Sequence, residues 1–65
     1  MNNTYVFESL ATNGTEYSYT FHTEADLLVA FEAMRHAKKG VGLASIRAAI
    51  YDGYHVHVID SESMK

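Results

Sequence analysis

The segment Thr23-Glu-Ala-Asp-Leu-Leu-Val-Ala-Phe-Glu-Ala-Met-Arg-His-Ala-Lys-Lys-Gly40 constrains the fold more than any other part of this 65-residue chain. It carries both ends of a helix. Thr23 suits the N-cap, and Asp26 stands where a capping box usually places Glu or Gln. Acids fill the first turn (Glu24, Asp26) and bases the last (Arg35, His36, Lys38, Lys39), matching the helix dipole. Gly40 suits the left-handed residue that closes a helix. Leu27, Phe31, Met34 and Ala37, flanked by Leu28 and Ala30, form one apolar stripe. About 16 residues give a rod roughly 24 Å long, enough to cover two or three strands on one side of a sheet.

The segments on either side read as hairpins. Before the helix, Tyr5, Phe7, Ser9 and Ala11 alternate with Val6, Glu8 and Leu10, and Tyr17, Tyr19 and Phe21 follow an Asn13-Gly14 turn signal. A three-residue loop, Thr12-Asn13-Gly14, pairs Phe7 with Tyr19 and Tyr5 with Phe21, which gathers the aromatic rings on one face. After the helix, Ile46, Ala48 and Ile50 alternate with Arg47 and Ala49 up to Asp52-Gly53, and Tyr54, Val56 and Val58 follow. The same loop length pairs Ile50 with Tyr54, Ala48 with Val56 and Ile46 with Val58. The segment from Leu43 also fits a helix, because Leu43, Ile46 and Ile50 lie at i, i+3 and i+7.

The expected architecture is α+β: one ββαββ domain over residues 1–65 with a four-stranded antiparallel sheet and one helix on one face. Its parts are a hairpin at 4–22, the helix at 23–39, a hairpin at 45–60 and a polar tail at 61–65. The alternative replaces the third strand with a second short helix, ββααβ.

Composition narrows the function. With no cysteine, disulfides, thiolate zinc sites and cysteine nucleophiles are excluded. A core this small rarely supplies more than about 3–5 kcal/mol, so self-association is the expected support. The first residues lack a basic stretch ahead of an apolar run, and the longest apolar run, Leu27 to Phe31, cannot cross a bilayer. A soluble, cytoplasmic protein without membrane contact is expected. Five of the eight acids lie in the first 34 residues and all five bases lie after them, so net charge switches from −5 to +2 along the chain.

No catalytic motif accompanies the hydroxyls and imidazoles, so no enzyme, no catalytic residue and no cofactor are expected. His55 and His57, two residues apart on a strand, are the candidate metal pair, and His22, His36, Asp60 and Glu8 are the available further ligands. Five tyrosines and three phenylalanines offer stacking platforms for nucleic acid, and Arg35, Lys38, Lys39 and Arg47 offer a small basic patch. The aromatic hairpin itself carries Glu8 and Glu16 and no base.

The leading expectation is a non-enzymatic interaction domain, a small inhibitor, adaptor or regulator that binds a larger protein and forms a homodimer. Size and charge give it the profile of small inhibitors carried by mobile elements, with a basic, nucleic-acid-handling protein as the partner. Direct nucleic-acid binding and a histidine-based metal domain are the alternatives. The expected contact residues are Glu8, Glu24, Asp26, Glu32, Arg47, His55, His57 and Ile59. Glu8, Arg47, His55, His57 and Ile59 are expected on the sheet face opposite the helix, and Glu24, Asp26 and Glu32 on the helix's acidic side.

Overall fold

The structure, a computed structural model, describes residues 3–37 and 42–64. Strands β1 (Thr4–Ala11) and β2 (Glu16–Phe21) precede helix α1 (Glu24–His36), and β3 (Leu43–Tyr51) and β4 (Val56–Ser63) follow it. The four strands form one antiparallel sheet in the order β2-β1-β3-β4. The chain is thus a small α+β ββαββ domain, and residues 43–51 are strand, not a second helix.

The helix begins as its sequence dictates. Thr23 is the N-cap, and its hydroxyl accepts the Asp26 amide at 3.1 Å. Ala37 is the C-cap, donating its N–H to the Met34 carbonyl. The closing role assigned to Gly40, and the basic contribution of Lys38 and Lys39, fall outside the described residues. Leu27 and Phe31 are fully buried. With Phe7, Ile46, Ala48 and Met64 they make the core, and Tyr5, Phe21, Met34 and Leu43 pack around it. The Phe31 ring meets Phe7 edge-on at 6.4 Å, a favoured aromatic geometry.

The first hairpin has the register that its face pattern demands. Tyr5 pairs with Phe21, Phe7 with Tyr19 and Ser9 with Tyr17. Gly14 has φ +91°, Ala11 donates to the Thr15 carbonyl, and Gly14 donates back to Ala11. This is a three-residue loop ending in a glycine bulge.

The second hairpin departs from expectation. The Asp52 N–H donates to the His55 carbonyl at 3.2 Å, leaving Gly53 and Tyr54 between them, and Tyr51 pairs with Val56, Ile50 with His57 and Ala49 with Val58. The Asp52 carboxylate is the cause: Oδ1 accepts the amides of Tyr54 (2.9 Å) and His55 (2.7 Å), fixing a tight turn centred on Gly53 and Tyr54. The register change turns Val56 and Val58 to the face away from the helix. α1 lies over β3 and β1 and less over β2. β4 therefore falls outside the helix's cover, and its valines gain more by joining Val6 and Ala49 on the other face.

Ile59 is an extra residue between the Ala49–Val58 and Ala48–Asp60 pairs, a bulge that bends β4. The strand then runs through Ser61 and Ser63, so the segment expected to be a frayed polar tail is largely paired. Met64 donates to the Ala44 carbonyl at 2.9 Å and is buried in the core.

Candidate functional site: the uncovered sheet face

The sheet face opposite α1 is organised in cross-strand rows, because residues paired across antiparallel strands point to the same side. One row runs Thr20, Val6, Ala49, Val58, and the next runs Ser18, Glu8, Arg47, Ser61. Beyond them Tyr51 pairs with Val56 at one end, and Glu16, Leu10 and Ser45 align at the other.

The second row holds an ionic network. Arg47 Nε donates to Glu8 Oε1 at 2.6 Å, its Nη2 contacts the same oxygen, and the Tyr51 hydroxyl donates to Glu8 Oε2 at 2.9 Å. Tyr51 thereby spans the Val6–Ala49 pair, and those two small apolar residues are buried although no helix covers them. The hydrogen bond from Arg47 to Glu8 raises the guanidinium pKa above its ordinary value. The hydrogen bond to Glu8, seconded by burial, raises that of the Tyr51 phenol. Both donors of the network are committed to one carboxylate.

Around this network the face is apolar and open. Val56 and Val58 are each 50% exposed, with Leu10 and Ile59 somewhat less so. A shallow depression of about 390 Å³ lies at the β2 side, walled by Glu8, Leu10, Glu16, Ser18, Ser45 and Arg47. Its lining mixes polar and apolar side chains, with Tyr17 and Ile46 also bordering it.

The expected contact residues do not share one surface. Glu8 and Arg47 lie together at the centre of the open face. Glu24, Asp26 and Glu32 are on α1, across the sheet from it. Glu32 holds Arg35 at 2.6 Å and faces His36 at 3.6 Å, so its charge is already matched. His57 pairs with Ile50 on the helix side of β4 and His55 sits in the turn, which corrects their assignment to the open face. Ile59 is the bulge residue at its margin.

The two imidazoles stand 6.1 Å apart beside Asp52, whose Oδ2 lies 3.2 Å from His57 Nε2 and 3.9 Å from His55 Nδ1. Among the described residues no three His, Cys, Asp or Glu side chains are arranged to hold a metal ion. Backbone amides of His55 and Tyr54, and then His57, lower the Asp52 pKa. This cluster serves the turn. His22 and His36 lie elsewhere in the fold, at the start and end of α1.

Sequence reasoning missed Val56, Val58 and Tyr51 as open-face residues. Alternation alone placed the valines under the helix, and only the Asp52 side chain, a turn-former with several geometries, hinted otherwise. No helix among the described residues is long and apolar enough to cross a membrane. Comparison with protein-family models, with curated proteins and with solved structures finds no match to this chain.

Proposed function

We propose that this chain is a non-enzymatic protein-interaction domain, an inhibitor, adaptor or regulator of a larger protein, that works as a homodimer. The observation that carries the reading is the uncovered sheet face. Leu10, Val56 and Val58 are exposed there around the Glu8–Arg47–Tyr51 network, with Ile59 at the bulge on its margin. Clustered exposed aliphatic side chains around a fixed polar centre suit a protein partner better than a small substrate, for which the shallow depression offers little enclosure.

The partner's contact is apolar, with polar groups positioned against Glu8 and Arg47. A strongly basic partner is not required, since Glu24, Asp26 and Glu32 lie on the far side of the sheet. Nucleic acid fits this face less well, because Arg47, its one base among the described residues, is paired with Glu8.

The test is affinity capture with the intact chain from a host lysate, repeated with Val58→Asp and with Val29→Asp. Val29 is 70% exposed on the helix and serves as the control. Partners lost with Val58→Asp and kept with Val29→Asp support the open face. Partners kept by both variants, or lost equally, contradict it.

A further inference from the structure

The two edges of the sheet are not equivalent, and the difference identifies where a second copy binds. β4 is blunted. It carries the Ile59 bulge, and self-pairing about Ser61 would set Asp60 against Glu62 of the other copy. β2, Glu-Tyr-Ser-Tyr-Thr-Phe, has no bulge, no proline, no lysine and a single acid at its end. Nothing in it discourages strand addition.

The hydrogen-bond phase of β2 follows from the hairpin. Ala11 and Thr15 are a bonded pair, since Ala11 donates to the Thr15 carbonyl at 2.8 Å. Alternation then makes Ser9–Tyr17, Phe7–Tyr19 and Tyr5–Phe21 the bonded pairs of the ladder. The N–H and C=O groups of Glu16, Ser18 and Thr20 consequently point away from β1, out of the free edge.

We infer that two copies of this chain join antiparallel through β2, about a two-fold axis at Ser18. The inference rests on the homodimer part of the function proposed above and assigns its seam. In this register Ser18 pairs with Ser18 of the second copy and Glu16 with Thr20. Every outward group of the three residues finds a partner, and Glu16 never faces its own copy.

The side chains agree with the register. Tyr17 of one copy meets Tyr19 of the other at non-hydrogen-bonded positions, where cross-strand side chains approach most closely. Both rings are exposed in the single chain, at 45% and 56%. They border an apolar depression with Phe7, Met34 and Leu43 on the helix side. Pairing covers these rings. It also runs the two open faces into one eight-stranded surface, so that the dimer presents a doubled contact face.

A seam of five residues per strand is small, so the expected dissociation constant is on the order of 1–100 µM. Sedimentation velocity of the full chain from about 1 µM to about 1 mM tests it. The expected result is a shift from monomer to dimer, with the Ser18 amide protected from hydrogen exchange only at the high end.

Ser18→Pro removes an outward N–H that the fold does not use, a substitution tolerated at strand edges. It should leave the melting temperature nearly unchanged and weaken the dimer at least about tenfold. Should that chain fail to fold, Ser18→Lys sets two ammonium groups against each other at the axis and should have the same effect. A wild-type chain that stays monomeric at about 1 mM overturns both the seam and the homodimer. A dimer that persists undiminished in a folded Ser18→Pro or Ser18→Lys chain overturns the seam alone. An edge that pairs only with another protein's strand, without self-association, likewise contradicts the proposal.

Discussion

Tyr51→Phe isolates the hydrogen bond that closes the open face. It removes one hydroxyl, 2.9 Å from Glu8 Oε2, and keeps the ring over Val6 and Ala49. A hydrogen bond to a charged acceptor contributes roughly 1.5–3 kcal/mol where buried, and partial solvent access reduces that to about 1 kcal/mol here. For a domain of this size that is a fall in melting temperature of roughly 4–8 °C. Circular dichroism melts of wild type, Tyr51→Phe, Glu8→Gln and the double variant form a cycle whose coupling should be about 1 kcal/mol at neutral pH. The pH dependence has a definite sign. The folded phenol has a raised pKa, so its contribution is complete below the unfolded value near 10 and is lost as pH rises through the folded value. The wild type should therefore approach Tyr51→Phe in stability above about pH 10. A single-variant shift under about 1 °C, or additivity in the cycle, would refute the reasoning.

Three further perturbations separate the parts of the fold. Met64→Ala empties a buried site and should cost about 2–5 kcal/mol, most of what so small a core supplies, so urea denaturation should find the variant largely unfolded in buffer. Thr23→Ala removes the N-cap bond and should lower the melting temperature by roughly 4–8 °C, equivalent to about 1 kcal/mol. Asp52 has a lowered pKa in the fold. Its stabilising effect is present above the unfolded value near 3.9 and is lost as pH falls through the lower folded value, so acid titration followed by circular dichroism should show a shallower acid limb for Asp52→Ala.

What the sequence makes legible is what several local signals state together. Thr23, the acidic first turn and the Leu27–Phe31 stripe all specify one helix, and the Asn13-Gly14 turn agrees with the aromatic alternation on both arms of its hairpin. At Leu43–Tyr51 helix and strand periodicities compete, and tertiary pairing on both sides decides for strand. The register of the second hairpin is not legible because Asp52-Gly53 suits more than one loop, and the choice rests with hydrogen bonds from the Tyr54 and His55 amides to the Asp52 side chain. Ser61, Glu62 and Ser63 resemble a tail because, past the Ile59 bulge, the last three residues of β4 carry no apolar side chain to reveal the strand. Met64 alone signalled otherwise. The site inherited these errors. Glu8 and Arg47 lie on the open face that the alternation predicts, whereas the shift in register exchanges the histidines with Val56 and Val58.

The central claim is that binding takes place on the sheet face that α1 leaves open. Methyl chemical-shift mapping of the isotope-labelled chain, titrated with the partner isolated by capture, addresses it most directly. The account predicts the largest changes at Leu10, Val56, Val58 and Ile59, with Val29 on the helix unmoved. Changes concentrated at Val29 and Leu28, with Val56 and Val58 silent, would contradict it.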